Sequence, residues 1–201
     1  MGMKKTFLFY FLAIGIVGFL CVYWFWPKAE KLPVLDTIET FQLEDVYNDV
    51  YSIDNDRIKL VAFFYTNCPD VCPLTMMDFQ DLQENLKNEG LFGKSVELVA
   101  ITLDPEHDTK QVIRTYAEAF EADPEGWKWV RGPADETKGI ADTFQMQYKK
   151  IEGGDLFTHS VTIYLLDKNN QLRALYDMAS PKKSVEKEKI LADIKELTQL
   201  K

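Results

Sequence analysis

Two short apolar runs, residues 58–65 (IKLVAFFY) and 96–103 (VELVAITL), each lead into a stretch whose apolar residues recur at helical spacing. Runs of this length, rich in β-formers, read as strands buried on both faces, and such strands occur in sheets covered by helices. A strand, helix, strand, helix succession implies parallel pairing with right-handed crossovers. The chain is thereby confined to a layered α/β sheet.

The remaining elements fit that frame. After the first run, Leu74, Met77, Leu82 and Leu86 predict a helix over 73–88, with Pro73 acceptable in its first turn and Gly90 just past its end. Val112, Ile113, Tyr116 and Phe120 mark the apolar side of a helix over 109–122. Residues 127–130 read as a further strand and 134–144 as a short helix before Gly153-Gly154. Phe41, Leu43, Val46, Val50 and Ile53 flank Tyr47-Asn48-Asp49 as a β-hairpin. Strands over 160–166 and 172–176 are joined by Asp167-Lys168-Asn169-Asn170, where Asn tolerates positive φ, and residues 182–197 form a closing amphipathic helix. Together these give a thioredoxin-like three-layer α/β fold with a central mixed sheet and a hairpin on one edge.

Between the first strand and its helix stands Cys68-Pro69-Asp70-Val71-Cys72. With Cys72 opening a helix, the two thiols can close a small disulfide or offer two soft sulfurs to a metal. The partial positive charge of a helix N-terminus favours thiolate, so lowered pKa values are expected for Cys72, and for Cys68 if it leans over that end. A disulfide there as a mere brace stabilises little, since that gain grows with loop length. Open α/β sheets place ligands at the carboxyl ends of their strands, where this loop falls.

The N-terminal part sets the compartment. Residues 6–26 (TFLFYFLAIGIVGFLCVYWFW) carry no charge, and about twenty helical residues at roughly 1.5 Å each match a hydrocarbon core of about 30 Å. Lys4 and Lys5 precede the run, so residues 1–5 are expected to stay cytoplasmic and the rest to cross. Tyr23, Trp24 and Trp26 suit an interfacial belt and Pro27 ends the helix, so the run reads as an uncleaved anchor and not a cleaved signal. Residues 27–40 then form a tether to a domain over 41–201. The chain is thus expected in the cell membrane, single-pass, with an extracytoplasmic domain. Cys21 admits a lipoprotein reading, but bulky Phe19 and Leu20 stand where small residues are wanted, and a small hydrophobe in lipid accounts for it. The net charge of −9 argues against nucleic acid as a partner. Outside the cytoplasm a cysteine pair tends to be oxidised, so an extracytoplasmic thiol reductant is an expected partner.

Only two histidines occur. His159 precedes the apolar strand VTIYLL at a strand edge, from which it could reach the thiols, whereas His107, in Asp104-Pro105-Glu106-His107-Asp108, reads as a solvated loop residue.

These residues carry a resemblance. The blocks FFYTNCPDVCP from Phe63, TLDPEHDT from Thr102 and HSVTIYL from His159, in that order behind an N-terminal anchor, resemble the Sco (SenC) family of membrane-anchored copper-binding proteins over roughly residues 41–176. The resemblance implies a thioredoxin-like fold that delivers copper to the binuclear copper centre in subunit II of cytochrome c oxidase. It implies Cys68 and Cys72 as thiolate ligands, His159 as the imidazole ligand and Asp104 as an acid behind the ligands. Leu156-Phe157-Thr158 stands before His159 where the family often has an acidic residue, and His107 stands where arginine is common, which raises it as an accessory ligand.

Two sulfurs and an imidazole suit Cu(I) and Cu(II). Zinc would accept the same atoms, but three protein ligands with an open fourth position is a catalytic zinc arrangement. Two functions from different classes therefore stand open: a copper chaperone, and a thiol-disulfide oxidoreductase in which Cys68 and Cys72 are the redox pair. A sensor is a third, though a five-residue cytoplasmic tail leaves little to signal with.

Overall fold

The computed structural model describes residues 10, 14–19, 21, 32–47, 50–146, 148–150 and 157–199. Tyr10, residues 14–19 and Cys21 are helical, and the expected anchor over 6–26 otherwise lies outside the described residues. Among the described residues no helix is long and apolar enough to cross a membrane. The chain divides into Met1–Lys31 and a compact unit Leu32–Lys201.

That unit is built on an eight-stranded mixed sheet. In chain order its strands are β1 (Asp36–Thr37), β2 (Gln42–Asp45), β3 (Tyr51–Ser52), β4 (Ile58–Phe64), β5 (Val96–Thr102), β6 (Trp127–Arg131), β9 (Thr162–Leu166) and β10 (Gln171–Asp177). They lie in the order β1-β10-β9-β4-β5-β6-β2-β3, while β7 (Tyr148–Lys150) and β8 (Phe157–His159) pair separately. The helices are α1 (Val71–Asn88), α2 (Lys110–Glu118), α3 (Ala134–Thr143) and α4 (Lys187–Gln199).

Strands β4, β5 and β6 run parallel, joined in register from Ile58↔Val96 to Phe64↔Thr102 and from Leu98↔Trp127 to Ile101↔Val130. Every residue of β4 and β5 is buried, as expected for strands covered on both faces. Side-chain alternation then builds two cores. Leu60, Ala62 and Phe64 face Met76, Phe79 and Leu82 of α1, Ile113 and Ala117 of α2, and Ile190 and Ile194 of α4. Val61 and Phe63 face Ile140 and Ala141 of α3, and Phe144 at its C-terminal cap, on the other side. The three layers of the sequence reading are present.

Two charged residues interrupt these runs and are satisfied. Lys59 Nζ donates to the Asn55 carbonyl (2.8 Å) and to Asn170 Oδ1 (2.9 Å). Glu97 accepts from the Tyr51 hydroxyl (2.6 Å), Asn55 Nδ2 (2.9 Å) and Arg57 Nη1 (3.0 Å). Leaving such charged groups unpaired in a core would be costly, and this pairing offsets the cost.

Several boundaries differ from the sequence reading. Helix α1 begins at Val71 and not at Pro73, which takes Cys72 into its first turn. Helix α4 begins at Lys187 and not at 182, because Ser180 and Lys183 bridge and the Val185 amide donates to Asp78 Oδ2 (2.8 Å), holding this segment in a loop. Within the segment read as tether, Asp36–Thr37 pairs with β10 and Ile38 is buried. Val112, read as apolar-face, is 41% exposed, whereas Ile113 and Ala117 are buried. The hairpins of β2 with β3 and β9 with β10 formed as expected, with Asn170 at φ 59° in the second turn; Asn48 and Asp49 lie outside the described residues.

Candidate functional site

Strand β4 ends at Phe64, and the chain turns so that the Cys68 amide donates to the Tyr65 carbonyl (3.2 Å) before α1 begins. Cys68 is half-buried and Cys72 fully buried, both as thiols and in hydrogen-bond contact with one another. Asp70 at the N-cap makes no side-chain cap, so the first-turn amides of α1 are not answered by it.

The helix end does not lower the Cys72 pKa as expected. Its hydrogen bond with Cys68 comes first, then burial, then the charge of a Cys68 thiolate, and together they push the Cys72 thiol far up against the opposing backbone amide of Tyr65. A helix terminus offers only a partial charge, and desolvation beside a second sulfur outweighs it. The proton of Cys72 is therefore held more firmly than that of a free thiol.

The loop after β5 clasps the cysteine loop from one side. Asp108 is buried and accepts from the Thr66 hydroxyl, from the Thr66 amide (3.3 Å) and from the Thr102 hydroxyl (2.5 Å). Burial raises its carboxyl pKa, opposed by the hydrogen bonds from Thr102 and Thr66. Arg131 fixes the same loop from β6, donating to the carbonyls of Asp108 (3.1 Å) and Pro105 (3.0 Å) while Nη1 reaches Glu44 (2.8 Å). Asp104, singled out in the sequence, is buried but faces His107, whose Nδ1 lies 2.9 Å from each carboxylate oxygen. Among the described residues, Asp108 is the acid that bonds to Thr66, two residues before Cys68.

His159 ends β8 opposite Tyr148, and its side chain lies outside the described residues. The chain just beyond it is stitched to the cysteine helix. Val161 accepts from the Met178 amide (2.9 Å), the next amide, Ala179, donates to Thr75 Oγ1 (3.0 Å), and that hydroxyl donates to the Val71 carbonyl (2.8 Å). The backbone two residues after His159 is thus held, through Met178 and Ala179, to the turn carrying Cys72. Among the described residues no three His, Cys, Asp or Glu side chains converge to hold a metal ion. Cys68 and Cys72 supply two donors.

Thr66, Thr75, Asp108 and Arg131 went unassigned in the sequence reading. A signal existed for one pair: Phe64 and Thr102 are the last residues of adjacent parallel strands, so the polar residues following each emerge at one end of the sheet.

A family model described as SCO1/SenC matches residues 34–199. The chain belongs to the SCO1/SenC family. A SCO2-like protein of Rickettsia felis is 29% identical to it over 154 residues, covering 73% of this chain and 72% of that protein. The structure of BsSco, described as a Sco-family cytochrome c oxidase assembly protein with a disulfide switch, shares the fold at TM-score 0.73 and 24% identity, over 86% of this chain and 100% of that one. Bradyrhizobium japonicum ScoI, solved with copper bound, does so at TM-score 0.66 and 24% identity, over 79% and 98%.

Proposed function

We propose that this SCO1/SenC protein is a membrane-anchored copper chaperone that delivers copper to, or matures, the binuclear copper centre in subunit II of cytochrome c oxidase. The observation that carries the reading is the adjoining thiol pair, half-exposed Cys68 over buried Cys72, at the carboxyl end of β4. Two adjacent sulfurs make a soft bidentate donor suited to Cu(I), and the imidazole of His159 as third ligand extends the site to Cu(II). The stitch from Val161 to Thr75 supports that assignment by tying the chain after His159 to α1. The copper held by Bradyrhizobium japonicum ScoI supports the cargo, and the oxidase-assembly description of BsSco supports the partner.

In this reading the incoming ion meets Cys68 first. Cys72 then loses its proton to solvent as the metal replaces it, and the Asp108 clasp on Thr66 keeps the cysteine loop in place. Asp104 acts behind the ligands by holding His107 and its own loop. Residues 6–26 anchor the domain on the extracytoplasmic side of the cell membrane, with residues 1–5 left inside.

The exposure asymmetry of the cysteines also favours a second reading, an extracytoplasmic thiol-disulfide oxidoreductase acting on the cysteines of that subunit. The Cys68 thiolate attacks the partner's disulfide and expels one partner thiolate; Cys72 then attacks the mixed disulfide and expels the other. The partner gains two electrons, the pair ends as a disulfide, and an extracytoplasmic thiol reductant restores it.

Anaerobic copper titration of the reduced protein separates the two. The wild type should bind copper that Cys68→Ser does not, and His159→Ala should lose most Cu(II) binding while keeping thiol-disulfide exchange. Equal copper uptake by wild type and Cys68→Ser ends the chaperone reading.

A further inference from the structure

At the end of the sheet that carries the cysteine loop, a groove of about 790 Å³ opens between β2, the end of β6 and the loop after β5. Strands β4, β5 and β6 are parallel, so Arg131 at the close of β6 and Pro105 beyond β5 emerge at the same end as the loop that follows Phe64. Leu43, Val50, Pro105 and Pro133 give the groove an apolar lining, and Val50 is 62% exposed. Neither proline has an amide hydrogen to offer, so this part of the surface is matched by apolar side chains.

The charged lining is unbalanced. Three carboxylates, Glu44, Glu106 and Glu136, share the groove with a single guanidinium, Arg131. Arg131 is already engaged: Nε donates to the Asp108 carbonyl, Nη2 to the Pro105 carbonyl and Nη1 to Glu44, and Lys110 pairs Glu44 a second time (3.1 Å). Glu106 and Glu136 are exposed, and among the described residues neither carboxylate has an ion-pair or hydrogen-bond partner. Glu136 Oε2 lies 3.4 Å from the point where a Cβ on Gly132 would stand, so this carboxylate stays against the groove lining.

We propose that this groove docks an extended segment of the partner polypeptide in which a lysine or arginine stands among apolar residues. The inference rests on the partner reading of the preceding subsection and adds the chemistry by which that partner is recognised. Val50 and the two prolines receive the apolar side chains, and Glu106 and Glu136 receive the basic one. A second copy of this chain fits less well, because two molecules of net charge −9 repel one another, and an anionic membrane surface is repelled likewise. Pro105, Glu106 and Asp108 belong to one loop, and Asp108 accepts from Thr66, two residues before Cys68. A segment seated here is therefore bound to the loop that clasps the cysteine loop.

Association of the full chain with the copper domain of oxidase subunit II, followed by surface plasmon resonance at several salt concentrations, tests it. In the double variant Glu106→Gln, Glu136→Gln, association at low salt should slow by about fivefold and lose much of its salt dependence, because such rim charges act mainly on the encounter. Val50→Ser should instead quicken dissociation severalfold. Both variants should bind copper as the wild type does. The pair Glu125→Gln, Glu188→Gln removes the same charge from exposed positions that do not line the groove, and should leave association nearly unchanged. Equal slowing by the two pairs would overturn the proposal, since net charge alone would then explain it, as would wild-type kinetics in both groove variants. Self-association of the wild type that the groove variants abolish, read by sedimentation, would overturn it in favour of a second copy. A wild type that does not bind subunit II removes the partner reading and this inference with it; groove variants that bind as the wild type does remove this inference alone.

Discussion

The Thr66 hydroxyl donates to the Asp108 carboxylate, so two loops leaving adjacent parallel strands share one buried acid two residues before Cys68. Asp108→Ala would strand the hydroxyls of Thr66 and Thr102 and the Thr66 amide, at a cost of about 3 kcal/mol in urea denaturation. With the clasp gone, alkylation of the buried Cys72 should quicken by about an order of magnitude. The pH dependence has a definite sign. Burial raises the folded pKa of Asp108, so its contribution is full below the unfolded carboxylate value and is lost as pH rises through the folded one. The deficit of Asp108→Ala should accordingly be larger near about pH 4 than at about pH 7.

Alkylation of the native reduced protein should follow an order. Cys68 is half-exposed, whereas Cys72 is buried and its thiol is held up by the hydrogen bond with Cys68, by burial and by the Cys68 charge. Because the thiolate is the nucleophile, Cys72 should react with iodoacetamide at least about tenfold more slowly than Cys68 near pH 8. Peptide mapping by mass spectrometry reads both sites, and denaturant should erase the difference. Equal native rates would contradict the asymmetry on which both functional readings draw.

The residues that were legible in the sequence are those whose burial is decided locally. Strands β4 and β5 stood out because both faces are covered and nearly every position is apolar; Lys59 and Glu97 are tolerated through partners that include Asn170 and Tyr51, distant in sequence. Val112 was misplaced because it neighbours the buried face marked by Ile113 and Ala117, and one residue turns a helix by about 100°. The thiol pair and its helix could be read directly, but the direction of the Cys72 shift could not. A helix N-terminus is visible in sequence, whereas full burial against a second sulfur is not. The Thr66–Asp108 clasp depends on the register of two strands, and the tie of Ala179 to Thr75 spans 104 positions, beyond any local pattern.

Lys59 gives the fold a pH signature at the end of β4 remote from Cys68. Burial lowers its pKa from 10.5 to about 8, opposed chiefly by Glu97. A lysine with a lowered folded pKa costs stability when charged, so stability rises with pH from the folded value toward the unfolded one. Relative to Lys59→Met, the wild type should gain about 2–3 kcal/mol between pH 8 and 10, the comparison cancelling the titration of tyrosines common to both proteins. Urea denaturation at the two pH values measures it, and a constant difference would mean that the ammonium is not desolvated.

Thr75 joins the cysteine helix to the chain after β10, and through Met178 to Val161, two residues past His159. Thr75→Val keeps the shape and burial of the side chain but leaves the Ala179 amide without its acceptor, costing about 1–3 kcal/mol. On the copper reading the functional loss should be selective. Cu(I), resting on two sulfurs of one short loop, should be retained nearly as in the wild type, whereas Cu(II), which needs the imidazole, should bind several-fold more weakly once the lead-in to β9 is loosened from α1. Thr75→Ser, which keeps the hydroxyl, should restore Cu(II) binding, and parallel titrations of the three proteins with each oxidation state measure the split. A Thr75→Val protein that holds Cu(II) as tightly as the wild type would show that this stitch serves stability alone and that His159 is placed by other means.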